Sequence, residues 1–149
     1  MVFVDDIEKL TLENTDYRRV IFTTDKSQLV LMSIPAKEDI EMEVHDVDQF
    51  FRIEQGYGEL QIGKKQIGKN QKYPIKDKTA MVIPAGTFHR VVNVGNIPLK
   101  LYSIYTPPEH PRGRVDKTKN STLSNSELLF SNNSKPKENM NLMKLFYLF

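Results

Sequence analysis

The chain has 149 residues, with 21 Lys and Arg against 19 Asp and Glu, a formal charge of +2 and no cysteine. Disulfide frameworks and thiolate metal sites are thereby excluded, and the length suits a single domain that buries its core unaided. Five Lys and two Glu fall in residues 117–149, so removing that stretch's +3 from the total leaves residues 1–116 at −1, without the basic stripe that a nucleic-acid partner needs.

Met1-Val-Phe-Val-Asp5-Asp6 lacks a basic leader segment, and no apolar run approaches membrane-spanning length. A soluble cytoplasmic protein with no membrane partner is expected. A short helix over Asp6–Leu10 is followed by strands predicted at Arg19–Thr24 and Gln28–Ile34, the second ended by Pro35. Further strands are predicted at Ile40–His45, Asp48–Gln55, Glu59–Ile62 after a turn at Gly56 and Gly58, Thr79–Pro84, Arg90–Val94 and Leu99–Thr106. Pro107-Pro108 closes the series. Lys64, Lys65, Lys69, Lys72, Lys76 and Lys78 are assigned to a hairpin with a solvated surface or protected edge. Short strands at this spacing, without a sustained helical period, indicate an all-β barrel or sandwich.

From Lys117 the composition changes. Five Asn and five Ser lie between Asn120 and Asn139, too little apolar surface to offset the entropy of ordering. The expectation is a domain over residues 1–116 and a disordered C-terminal tail over 117–149, ending in the apolar segment Met140–Phe149.

Two patterns carry the chemistry. In Glu43-Val-His45-Asp-Val-Asp-Gln49, Glu43 and His45 fall on one face of an extended strand, and Gln49 and His89 converge on them if the strands close into a barrel. His89 lies in Pro84-Ala-Gly86-Thr-Phe-His89-Arg-Val-Val-Asn93. This juxtaposition predicts a metal site.

These patterns resemble those of the cupins. One cupin motif reads Gly, five residues, His-x-His, three or four residues, Glu, six residues, Gly. The other reads Gly, five residues, Pro-x-Gly-x-x-His-x-x-x-Asn. Pro84, Gly86, His89 and Asn93 match the second in register, with Lys78 in place of its leading Gly. His45 and Gly56 match the first, with Lys37 replacing Gly, Glu43 replacing His and Gln49 replacing Glu. The resemblance covers roughly residues 19–106 and implies a double-stranded β-helix, or jelly-roll, barrel with Glu43, His45, Gln49 and His89 at the four ligand positions. Some cupin sugar-phosphate isomerases use two His with one Gln and one Glu, with the amide and carboxylate exchanged relative to this chain.

Two imidazoles, one carboxylate and one amide suit a divalent ion such as Zn, Fe, Mn or Ni. The competing expectation is a metal-free barrel in which Gln49 pairs with Glu43 or His45 in a satisfied polar network. Tyr105 is a candidate acid or orienting hydroxyl if Ser103 and Tyr105 face inward. Asn93 is assigned to backbone hydrogen bonding, and His110 to a loop or interface role. Phe50 and Phe51 point to opposite faces of their strand, only one of them filling the barrel. Arg52 and Arg90 have the opposite parity to the ligands, which argues against phosphate recognition from their strands. Three functions remain open: a metal-dependent enzyme on a small sugar or sugar phosphate, a non-haem oxygenase, and a small-ligand-binding cupin without turnover. A homodimer formed by sheet packing or edge exchange is expected.

Overall fold

The computed structural model describes residues 1–63 and 70–121. Residues Met1–Thr118 form one compact unit, and a second begins at Lys119. Lys64, Lys65, Lys69 and the expected tail from residue 122 onward lie outside the described residues.

The chain begins with α1 (Ile7–Glu13), longer than the helix expected at Asp6–Leu10. Its start is set by Asp6, whose carboxylate accepts the Lys9 N–H at 3.0 Å and so satisfies one of the donors left open at a helix N-terminus. Among the described residues ten strands follow: β1 (Arg18–Thr23), β2 (Gln28–Ile34), β3 (Asp39–Glu43), β4 (Asp48–Gln55), β5 (Tyr57–Ile62), β6 (Gln71–Lys76), β7 (Ala80–Ile83), β8 (His89–Asn93), β9 (Leu99–Thr106) and β10 (Val115–Asp116). They build two antiparallel sheets, one ordered β10-β1-β2-β9-β4-β7 and the other β3-β8-β5-β6. The all-β jelly roll implied by the motifs is the observed architecture.

Alternation along the strands creates the core. In β9, Leu99, Leu101, Ser103 and Tyr105 are buried while the residues between them are half-exposed, and β4 buries Phe51 and Ile53 against them. Phe50 turns the other way and packs its ring 6.1 Å from that of Tyr102, so the two adjacent phenylalanines divide between the two faces as expected. Val30, Met32, Ile34, Val91 and Ile75 complete the apolar layer between the sheets. Among the described residues no helix is long and apolar enough to cross a membrane.

Two strands were not anticipated. In β6, five of six residues are exposed and Pro74 interrupts the donors, so the segment lacks the alternation of a half-buried strand. It is the edge of its sheet, and Lys72 and Lys76 lie on it in the protective edge role expected of them. Strand β10 is two residues long and is held by pairing to Arg18 and Arg19.

The two motif glycines replaced by lysine are conformationally informative. Lys37 and Lys78 adopt φ of 67° and 70°, the left-handed region that glycine occupies without steric penalty. The backbone thus keeps the turn that the motif calls for although the side chain opposes it. Gly86, at φ 79°, supplies the turn before β8 as expected.

Candidate metal centre

Three potential donors meet at one end of the sandwich. Glu43 is the last residue of β3 and lies directly opposite His89, the first of β8. His45 follows two residues later. Simple strand alternation does not bring Glu43 and His45 together, because β3 ends at Glu43 and its register shifts between Ile40 and Glu43. The turn before β8 holds His45 instead: the Gly86 N–H donates to the His45 carbonyl at 2.8 Å, and the Ala85 N–H donates to Asp48 Oδ1 at 2.9 Å. The two sequence patterns are therefore fastened to each other through backbone.

Glu43 Oε1 lies 3.1 Å from His45 Nε2 and 3.5 Å from His89 Nε2, and the three residues offer ligand atoms all within 4.8 Å of one another. A divalent ion about 2.1 Å from each donor sets donor–donor edges of about 3.0 Å in octahedral and about 3.4 Å in tetrahedral coordination. The two separations from Glu43, 3.1 and 3.5 Å, match such edges. Although both imidazoles are within ion-pair reach of the carboxylate, neither Nε2 has an aligned hydrogen-bond partner among the described residues.

The other nitrogen of each imidazole is engaged. His89 Nδ1 lies 2.9 Å from the Thr87 carbonyl, which only accepts, so Nδ1 carries a proton and Nε2 is the nitrogen turned to Glu43. His45 Nδ1 likewise donates to Glu109 Oε1 at 3.1 Å. A carbonyl or carboxylate behind the coordinating imidazole is the arrangement that fixes a metal-binding tautomer. Glu109 is not among the site residues expected from the sequence, since its partner lies 64 residues earlier in the chain.

The electrostatics agree with this arrangement. Burial alone would raise the Glu43 carboxyl, but its close contacts with His45 and His89 outweigh burial and hold it well below the ordinary carboxylate range. Burial pushes His45 down, while Glu109 and Glu43 together raise it to about 9. Without metal, a proton on His45 takes the place of a cation between two carboxylates.

Gln49 occupies the expected fourth position on β4, opposite Tyr105 on one side and Ile83 on the other. It is 1 % exposed, and neither its amide nitrogen nor its oxygen has a hydrogen-bond partner among the described residues. The competing expectation, Gln49 paired with Glu43 or His45 in a satisfied network, is therefore not what the structure contains. An unpaired buried amide is costly, about 1–3 kcal/mol, and its place opposite Tyr105, whose ring packs against His45, fits a site built around an additional group.

Residues 30–105 match the cupin domain family. The chain belongs to the cupins. This cupin is 48% identical over 118 residues to the uncharacterized protein YrkC of Bacillus subtilis (strain 168), spanning 78% of this chain and 63% of that protein's length. It is 46% identical over 117 residues to the uncharacterized protein L612 of Acanthamoeba polyphaga mimivirus, covering 77% of this chain and 71% of the relative. Among solved structures it resembles BH2720 from Bacillus halodurans, with a TM-score of 0.79, 47% identity, and coverage of 82% of this chain and 93% of that one.

Beyond the donors, the cupin barrel places Tyr105 edge-on to His45, with ring centroids 5.5 Å apart. Burial, then the Glu43 charge, pushes its hydroxyl above the ordinary phenol range, so it stays protonated. His110 lies on the loop after β9, as expected. Its imidazole packs edge-on to Tyr105 at 5.0 Å, turned toward the barrel interior, and its Nε2 is buried. Gln28 at the start of β2 pins that loop in both directions: its amide nitrogen donates to the His110 carbonyl at 2.7 Å and its oxygen accepts the His110 N–H at 2.8 Å. Burial, aided by Arg18 and Arg114, lowers the His110 imidazole to about 3, which keeps it neutral.

Proposed function

We propose that this cupin is a metal-dependent enzyme acting on a small oxygen-bearing molecule, with Glu43, His45 and His89 holding one divalent ion. One observation carries the reading: three donors converge while the remaining nitrogen of each imidazole is fixed by Thr87 or Glu109. Three protein donors leave coordination positions for substrate, and an ion bound there would polarise a substrate oxygen as a Lewis acid.

The protein's own groups supply the rest. Glu43 remains ionised, so the donor set offers one negative charge. Glu109 and the Thr87 carbonyl orient the two rings. Gln49 offers an amide N–H and an amide oxygen to whatever lies beside the donors, and the protonated Tyr105 packs against His45 and restricts that ring. Phe51, fully buried with its ring 6.0 Å from that of His89, walls the donors from water on the core side.

A sugar-phosphate substrate draws little support from Arg52 and Arg90. Arg52 is ion-paired to Glu54 at 2.9 Å and Arg90 to Asp39 at 2.6 Å, both away from the donors as their strand parity anticipated. Oxygenase chemistry is a second reading, favoured by the two-histidine, one-carboxylate donor set itself.

Elemental analysis of freshly purified protein tests the first reading: about one divalent metal per chain is expected, falling to below about one tenth in His89→Ala. Stoichiometric metal persisting in that variant would sink the assignment. Oxygen uptake that depends on added Fe²⁺ would select the oxygenase reading, whereas activity sustained by Zn²⁺ without oxygen would reject it.

A further inference from the structure

The two sheets end in β6 and β7, and between these edges lies a cleft of about 480 Å³. Its inward walls are Leu60, Ile62, Ile75, Met81 and Ile83, with the half-exposed Tyr73 at the rim. Among the described residues none that lines it is charged.

The register of the strands joins this cleft to the donors. Ile62 sits directly opposite His89 across β5 and β8, and Ile83 directly opposite Gln49 across β4 and β7. Directly paired side chains have Cβ atoms about 4.5–5.5 Å apart and share a face of the sheet. One wall of the cleft is thus the immediate neighbour of a donor and the other the neighbour of the unpaired amide. Thr87, whose carbonyl fixes His89, also lines the cleft.

We propose that this cleft seats the apolar body of a small amphipathic ligand whose oxygen-bearing head reaches Gln49 and the donors Glu43, His45 and His89. The inference rests on the metal reading above and adds the substrate class to it. Volume and lining fit a small-molecule site, predominantly apolar with a few polar groups fixing one end. Among the described residues the lining offers a phosphate or a second carboxylate no countercharge, Arg52 and Arg90 are ion-paired, and Arg18 and Arg114 are both held by Asp116 at 3.1 and 3.0 Å. An aliphatic or aromatic body would displace water from isoleucine, leucine and methionine side chains. The head would give the Gln49 amide the partner it otherwise lacks.

Hydroxamates, which combine an oxygen-chelating head with a variable tail, serve as probes. Full-length protein loaded with Zn²⁺ is titrated calorimetrically with acetohydroxamic acid and with octanohydroxamic acid. Each buried methylene is worth about fourfold in affinity, so burial of three of the six added methylenes makes the longer probe about sixtyfold tighter. Tyr73→Asp at the rim and Met81→Asn on the wall are expected to cut that advantage to below about fivefold. Retained metal content, which the cleft does not supply, shows that each variant is folded.

Equal affinities of the two probes for loaded wild-type protein would overturn the cleft assignment and leave the metal reading standing. Tighter binding of glucose 6-phosphate than of octanohydroxamic acid would also overturn it. Failure of the wild-type protein to retain metal, with neither probe bound, would overturn both readings together.

Discussion

Strand β8 begins at His89 and ends at Asn93, about 13 Å away, and its two ends treat buried polar groups in opposite ways. Asn93 is 1 % exposed, and its amide nitrogen donates to the carbonyls of Ile34, Pro35 and Ile97 at 3.0, 3.1 and 2.8 Å while its oxygen accepts the Gly95 N–H. Gln49, at the His89 end and equally buried, has no partner for either amide atom among the described residues. The same functional group closes the structure at one end and stays poised at the other. Buried amides secure a fold when they are satisfied, and mark a site when they are not.

The sharpest test of that contrast removes each amide in turn. Asn93→Ala strips three carbonyls and one N–H of their partner, and denaturant unfolding of metal-free protein should show a loss of about 3–4 kcal/mol. Gln49→Leu removes an amide that has nothing to lose, and should leave metal-free stability unchanged or raise it by about 1 kcal/mol. A loss with Gln49→Leu comparable to that with Asn93→Ala would abolish the distinction between the two ends.

The site end should also be the pH-sensitive one. His45 is raised to about 9 in the metal-free protein, so metal must displace its proton, and affinity should climb about tenfold per pH unit between pH 7 and 9 before levelling off. Metal-free stability moves the other way: a raised histidine contributes stability that is complete below its unfolded value near 6.5 and is lost as pH rises through about 9. Metal titrations and urea melts across this window check both signs, and a flat metal affinity would contradict the coupling.

A smaller effect is expected behind the donors. Glu109→Gln removes the charge holding His45 Nδ1 while conserving shape, and should weaken metal binding about tenfold, measured by competition with a chelator. The smallest effect lies away from the site. Lys78→Gly relieves a left-handed backbone that lysine tolerates poorly, and should stabilise the protein by about 0.5–1 kcal/mol without altering metal content.

Much of this was legible in the chain, and what was missed shares a physical cause. Strands that bury one face announce themselves by alternation, as β4 and β9 do. Strand β6 buries only Ile75 of its six residues and contains Pro74, so it has no such pattern, and β10 exists through Arg18 and Arg19 far earlier in the chain. Glu43, His45 and His89 could be named from their spacing and from the cupin motifs. Glu109 could not, because its role depends on a contact that spans 64 residues. The inward turn of His110 likewise depends on Gln28, 82 residues away. Gln49 was visible as a position, but whether its amide was satisfied is a property of the packed interior alone.

The Gln28 tether to the loop carrying Glu109 and His110 bears on where this module can be cut. Both ends of that tether fall outside residues 30–105, the span by which the cupin domain is recognised. A graft or minimal fragment trimmed to that span would keep Glu43, His45 and His89 yet lose Glu109, His110 and the glutamine that pins them. The portable unit of this protein is therefore larger than its signature, and any transplant needs to run at least from Gln28 to His110.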